Sequence, residues 1–184
     1  MRKSVLVLVL LLASCATPPP AQGPVEVAPG VSVFLPPPAS LGRSIEAVQL
    51  VTARHGKDSF TFEAHLSVTP ERVLLAGTDG FGQRVMEVRW TGQTLTVSKA
   101  AWIPETLRPE NILADVTLIY WPDAVVRSQL SGAEIGFGGG RRIGRGGKTL
   151  IAIGFAGDPW NGTAHLANLA WDYEIDVQSS VVTP

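Results

Sequence analysis

Cys15 is the only cysteine in the 184 residues, so no disulfide can form within the chain. The three histidines, His55, His65 and His165, are isolated from one another and from other ligand types at useful spacing, which leaves neither a zinc motif nor an evident general base. No Gly-x-Ser-x-Gly occurs, so the nucleophile elbow of the α/β hydrolases is absent. Charge is also scarce. Asp, Glu, Lys and Arg make up 17% of the residues with a net charge of −1, too little and too balanced for a nucleic-acid partner. The run Gly136 to Thr149 ends like a phosphate-binding loop, but that pattern needs glycine five positions before Gly147 and Arg142 stands there. It reads instead as a hairpin with a glycine-rich turn. Its cations Arg141, Arg142, Arg145 and Lys148 would alternatively meet anionic lipid headgroups. Asp172, Glu174 and Asp176 alternate along one strand and read as a solvated face rather than a metal row. No catalytic residue, metal or cofactor is expected.

The one long apolar run is N-terminal. Arg2 and Lys3 precede Val5 to Leu12, and Ala13-Ser14-Cys15 follows, which is a signal peptide too short to span a bilayer as a mature helix. Leu12-Ala13-Ser14-Cys15 resembles a bacterial lipobox, which implies a diacylglyceryl thioether on Cys15 after cleavage. Ala16 stands where an aspartate would hold a lipoprotein in the inner membrane, so outer-membrane anchoring facing the periplasm is the expectation. Residues 1–14 are thus read as signal peptide, 15–40 as the lipidated cysteine and a spacer, and 41–184 as the folded domain. The spacer carries eight prolines between Ala16 and Ser40, which favours an extended, semi-rigid chain. Within it, Val31 to Leu35 is apolar enough to dock as an edge strand.

The folded part is organised around Arg72 to Trp90, two strands joined by a glycine-punctuated loop with Phe81 between Gly80 and Gly82. A bulky side chain at such a tip points outward. Before it, Ser59 to Val68 alternates strictly, with Phe60, Phe62, Ala64, Leu66 and Val68 on one face, the mark of a half-buried antiparallel strand. After it, Thr91-Gly92-Gln93 turns into Thr94 to Ser98, with Leu95 and Val97 inward. Ser44 to Arg54 reads as a further strand. Pro109 suits the first position of a helix, and Ile112, Leu113, Val116, Ile119 and Tyr120 recur at helical spacing until Trp121-Pro122 stops them. A second short helix is expected between Pro122 and Leu130. Strands resume from Thr149 to Phe155, and again where Trp171, Tyr173, Ile175 and Val177 alternate with acids. The fold class is therefore mainly β: a twisted antiparallel incomplete barrel with a helical lid inserted between two meanders. Ile112, Val116 and Ile119 are expected to face Phe60, Phe62, Met86 and Val88. The five tryptophans, Trp90, Trp102, Trp121, Trp160 and Trp171, serve core packing, with an aromatic cavity as the alternative.

The lipobox, Leu35-Pro36-Pro37-Pro38-Ala39-x-Leu41-Gly42, Gly80-Phe81-Gly82-Gln83, the Pro109 helix ending in Tyr120-Trp121-Pro122, and the closing stretch from Trp160-Asn161-Gly162 to Gln178-Ser179 together resemble an uncharacterised family of outer-membrane lipoproteins. Its members occur beside aryl polyene and fatty-acid-like biosynthesis genes and are related to LolB, the outer-membrane lipoprotein receptor. LolB and its soluble partner LolA have an incomplete β-barrel lidded by helices, with a cavity for acyl chains. The resemblance implies a lipid cavity lined by Phe60, Phe62, Leu66, Met86, Val88, Trp90, Ile112, Val116, Ile119, Trp171, Tyr173 and Ile175. It also implies a membrane-insertion loop at Gly80, Phe81 and Gly82; LolB carries leucine where Phe81 stands. The expected partners are acyl chains or a lipidated cargo, the membrane through the Cys15 anchor, and a LolA-like periplasmic carrier. The expected activity is non-enzymatic: acceptance of an acylated cargo and its insertion into the outer membrane. An accessory factor of a lipid-modifying enzyme, or a structural envelope lipoprotein without ligand transfer, are the alternative classes.

Overall fold

The computed structural model describes residues 23–103 and 108–182. The N-terminal apolar run and Cys15, on which the lipidation expectation rests, lie outside them. Two strands come first, β1 (Val25–Ala28) and β2 (Val31–Val33), followed by a 3-10 turn at Pro38–Leu41. An antiparallel meander follows, β3 (Ile45–His55), β4 (Asp58–Thr69), β5 (Arg72–Thr78), β6 (Arg84–Trp90) and β7 (Leu95–Lys99). Two helices interrupt it, α1 (Pro109–Tyr120) and α2 (Asp123–Gln129), and the chain returns through β8 (Leu130–Ser131), β9 (Glu134–Phe137), β10 (Gly140–Arg145), β11 (Lys148–Ala156), β12 (Thr163–Asn168) and β13 (Tyr173–Val181). The second meander joins the first by pairing β13 with β3 from Tyr173↔His55 to Val181↔Ala47. The result is one ten-stranded antiparallel sheet, ordered β7-β6-β5-β4-β3-β13-β12-β11-β10-β9, whose two edge strands do not meet. It is an open sheet, not a closed barrel.

Period-two alternation sets which face is buried. Ala64, Leu66 and Val68 of β4 lie over Val73 and Leu75 of β5 and Val88 and Trp90 of β6, all buried. Val97, expected inward, does share this face through its pairing with Val88, but β7 is the sheet edge and leaves it exposed. The strand expected from Trp171 begins two residues later. Asp172 has a left-handed φ of 55°, which makes 169–172 a turn and starts β13 at Tyr173.

α1 is a core helix rather than a peripheral lid. All eight residues from Leu113 to Tyr120 are buried, because the sheet packs on one side and a small second sheet, ordered β1-β2-β8, covers the other. Asn111 Nδ2 donates to the Glu26 carbonyl at 2.8 Å, and Asn168 Nδ2 to that of Val27 at 2.8 Å, tying β1 to both helix and sheet. The stretch expected as a spacer is thus in the folded body from Val25 onward, and β2 is the middle strand of its sheet rather than an edge. Pro36 to Leu41 then crosses the inner face of the first meander, where Trp90 Nε1 donates to the Pro36 carbonyl at 2.9 Å and Trp121 Nε1 to Ser40 Oγ at 2.9 Å. The conformational restriction of proline suits such a strap, since little chain entropy is lost on docking it.

Arg141 holds the C-terminal end of α1. Its guanidinium donates to the Leu118 carbonyl, to the Trp121 carbonyl at 2.7 Å, and to Asp123 Oδ1 at 2.8 and 3.1 Å. These are the orphan carbonyls that any helix end leaves. Arg141 shares a face with buried Ile143, so it is a structural cation inside the fold and not free for a headgroup.

Candidate functional site

Antiparallel pairing brings five connections to one end of the large sheet: the β3–β4, β5–β6, β10–β11 and β12–β13 turns and the exit of β7. The N-terminal part of α1 points the same way, since Asp115 bonds to Tyr173 at the start of β13 whereas Tyr120 bonds deeper, to Gln49 and Ser179. Large apolar side chains collect on this rim. Phe81 is 92% exposed, Trp102 61% and Phe60 51%, and Leu169 is exposed in the β12–β13 turn.

The Phe81 loop is built, not loose. Asp79 Oδ1 accepts the backbone N–H groups of Phe81 and Gln83, each at 2.9 Å, and the Asp79 carbonyl accepts that of Gly82 at 2.9 Å. Gly82 has φ +75°, a conformation that costs glycine nothing. The Asp79 carboxylate therefore fixes the turn from within and leaves Phe81 nothing to pack on. Trp102 follows β7, whose last link to β6 is the Ala100 N–H to Val85 carbonyl bond at 2.8 Å, so it stands at the edge of the same rim.

The twelve residues expected to line a cavity fall into two groups. Leu66, Met86, Val88, Trp90, Val116 and Ile119 are packed in the interior. Phe62, Ile112, Trp171, Tyr173 and Ile175 are half-buried and Phe60 is more open still, and this second group lies toward the rim. Phe60, Ala53 and Ile175 form one cross-strand row over β4, β3 and β13. The open part of the inner face is therefore a band of apolar side chains next to the N-terminal turn of α1, and the Phe62 ring closes its floor over Gly77 beside Val85.

Two polar clusters sit behind this band. The Tyr173 hydroxyl is 2.9 and 3.1 Å from the two carboxylate oxygens of Asp115, and burial pushes the Asp115 carboxyl up to about 7 against the counter-effect of that bond. Burial, and then the Asp115 charge, likewise raises the Tyr173 phenol. Deeper in, Gln49 Nε2 donates to Tyr120 Oη at 2.8 Å and to Ser179 Oγ at 3.2 Å, while the two hydroxyls are 2.9 Å apart. Burial pushes the Tyr120 phenol up to about 12, so it stays neutral and this cluster is a hydrogen-bonded clasp without an ionised member. Among the described residues no three His, Cys, Asp or Glu side chains are grouped to hold a metal. On the outer face Asp176 bonds Arg54 and, at 2.7 Å, His165 Nδ1, and the Arg54 bond holds its carboxyl below the usual range.

A cleft of about 380 Å³ lies at the other end of α1, between Leu41, Arg43, the α1–α2 junction and the β11–β12 loop. Ile119 is the only one of the twelve expected residues that lines it. Asp115 and Arg43 are not among the residues singled out from the sequence, and Arg141 is expected there only as a surface cation for lipid headgroups, whereas it is buried. Asp115 had a signal, since an acid three positions after Ile112 falls on the inward stripe; Arg43 had none.

No curated protein matches the chain. Residues 46–181, from the second residue of β3 to the last of β13, match the family described as Protein of unknown function (DUF3261), and the chain belongs to that family.

Proposed function

We propose that the protein is an outer-membrane-anchored lipoprotein of LolA/LolB-like design that takes an acylated cargo on the open inner face of its half-barrel and inserts it into the membrane. The cargo is a lipoprotein or a lipid such as an aryl polyene intermediate, received from a LolA-like carrier. The observation that carries this reading is a coincidence of position. The chain enters the fold at Gly23 and Pro24 beside Arg108, Glu110 and Asn111, at the N-terminal end of α1, and this is the end that carries Phe81, Trp102 and Phe60.

If Cys15 bears the lipid, seven residues lie between it and Gly23, and the eight steps from one to the other reach at most about 28 Å at about 3.5 Å per residue. The anchor then draws the apolar rim toward the bilayer. Phenylalanine and tryptophan are suited to that boundary, since both bring apolar area and the indole keeps a polar N–H. Contact also spares an acyl chain from crossing water, where each exposed methylene costs about 0.8 kcal/mol. Mass spectrometry of the Cys15→Ser protein, purified from envelope extracts without detergent, tests the cargo half of the proposal. A stoichiometric acyl-bearing molecule is expected; a protein that is lipid-free, and that also fails to take up a fluorescent fatty acid, overturns it.

A further inference from the structure

The cleft at the C-terminal end of α1 is separated from the Phe81 rim by the length of the helix, and its chemistry differs. Phe155, Pro159, Trp160 and Trp121 form apolar walls, and two guanidinium groups reach the space, Arg43 and Arg141. The two cations are not equivalent. Arg141 is buried, its charge is answered by Asp123, and its donors are engaged by Asp123 and the α1 carbonyls, as described above. Arg43 is exposed and stands 5.7 Å above the Trp160 ring, and among the described residues it makes no hydrogen bond or ion pair. The cleft lining therefore carries one uncompensated positive charge, held at the mouth of an aromatic slot.

The base of that slot is rigid. Trp160 is buried and packs against Tyr120 with ring centroids 4.4 Å apart and the planes tilted by 46°, and its backbone N–H donates to Asp158 Oδ1 at 3.0 Å, so ring packing and the turn together place the indole beneath Arg43. A guanidinium held over an aromatic face at cation–π distance still has N–H donors to offer, and its planar fork matches the oxygens of a carboxylate or phosphate. A volume of about 380 Å³ is at the small end of ligand clefts, which run from about 300 to about 1,000 Å³. It is too small for a two-chain phospholipid.

We propose that this cleft is a binding site for a small anionic amphiphile, a carboxylate or phosphate on a short apolar body. Arg43 takes the anionic group, and the body lies between Phe155, Pro159 and Trp160. The site stands apart from the membrane rim and from the cargo reading, and neither one's failure removes the other.

Calorimetric titration of the Cys15→Ser full chain with decanoate, decyl phosphate, decanol and inorganic phosphate tests it, with Arg43→Gln and Phe81→Glu as paired variants. One saturable site per protein for decanoate and decyl phosphate is expected, separate from acyl uptake on the inner face, and weakened about tenfold or more in Arg43→Gln, as for loss of a charged hydrogen bond. Phe81→Glu should leave that affinity unchanged. Decanol and inorganic phosphate should each bind at least about tenfold more weakly than decanoate, and Arg43→Gln should not alter decanol. Equal binding of decanoate by wild type and Arg43→Gln, or of decanoate and decanol by the wild type, would overturn the proposal. Inorganic phosphate binding as tightly as decyl phosphate would also overturn it, by leaving an anion site with no use for the apolar walls. Arg43 is exposed, so its replacement leaves the core intact and the comparison is made on folded protein.

Discussion

The Tyr173 hydroxyl bridges both carboxylate oxygens of Asp115, at 2.9 and 3.1 Å, and so joins the first strand residue of β13 to the middle of the buried helix α1. The pair makes stability depend on pH. Burial raises the Asp115 carboxyl from 3.8 to about 7, so between those values the folded state holds a proton that the unfolded state has lost. Stability is then greatest at the acid end of this window, falls as pH rises from about 4 to about 7, and stays level above it, with a total change on the order of 4 kcal/mol. Asp115→Asn keeps an acceptor for Tyr173 and removes the charge. Urea unfolding midpoints should rise in this variant at pH 8 and change little at pH 4; a lower midpoint at pH 8 would show that the ionised carboxylate is wanted.

Arg141 should be the most sensitive cation in the chain. Arg141→Ala strips the carbonyls of Leu118 and Trp121 of their donor and leaves the α1–α2 corner without its clamp. A loss of about 3 kcal/mol or more is expected, the range for breaking a buried charged contact. Asp123 is largely exposed, so Asp123→Asn should cost much less, and chemical denaturation of both variants reads the ranking.

Much of the large sheet was legible in the sequence. Strict alternation in Ser59 to Val68, the glycine-flanked Phe81 and the turn at Gly92 fix strands, hairpins and facing residues by local chemistry. The depth of α1 is also written there, on the side of the helix away from Ile112, Val116 and Ile119. Ala114 and Leu118 make the helix apolar on its second side as well, and a helix apolar all round is a buried one. β1 was not legible, because four residues inside a proline-rich stretch carry no period and take their structure from partners far along the chain. The same holds for Arg43, whose place over Trp160 depends on packing between segments more than a hundred residues apart.

Asp79→Ala should loosen the tip without touching the core. It removes the acceptor for two backbone N–H groups at the surface, so a cost of about 1 kcal/mol is expected. Hydrogen exchange at Phe81 and Gln83 should quicken while exchange in β4 stays slow. Unchanged exchange at both tip residues would show that the carboxylate does not hold the loop.

Phe81→Glu separates membrane contact from stability, because a ring that is 92% exposed contributes little to the core. Its unfolding free energy should stay within about 0.5 kcal/mol of wild type, whereas Leu66→Ala, at a fully buried site, should lose about 2–5 kcal/mol. A loss of about 3 kcal/mol in Phe81→Glu would place the ring in the core.

The most direct measurement is the rate at which the protein, loaded with a fluorescent acyl probe, delivers it to liposomes, compared between wild type and Phe81→Glu at equal loading. The variant should keep its bound probe and its melting temperature but transfer at least about tenfold more slowly. A folded, loaded Phe81→Glu protein that delivers at the wild-type rate would contradict delivery through the Phe81 loop.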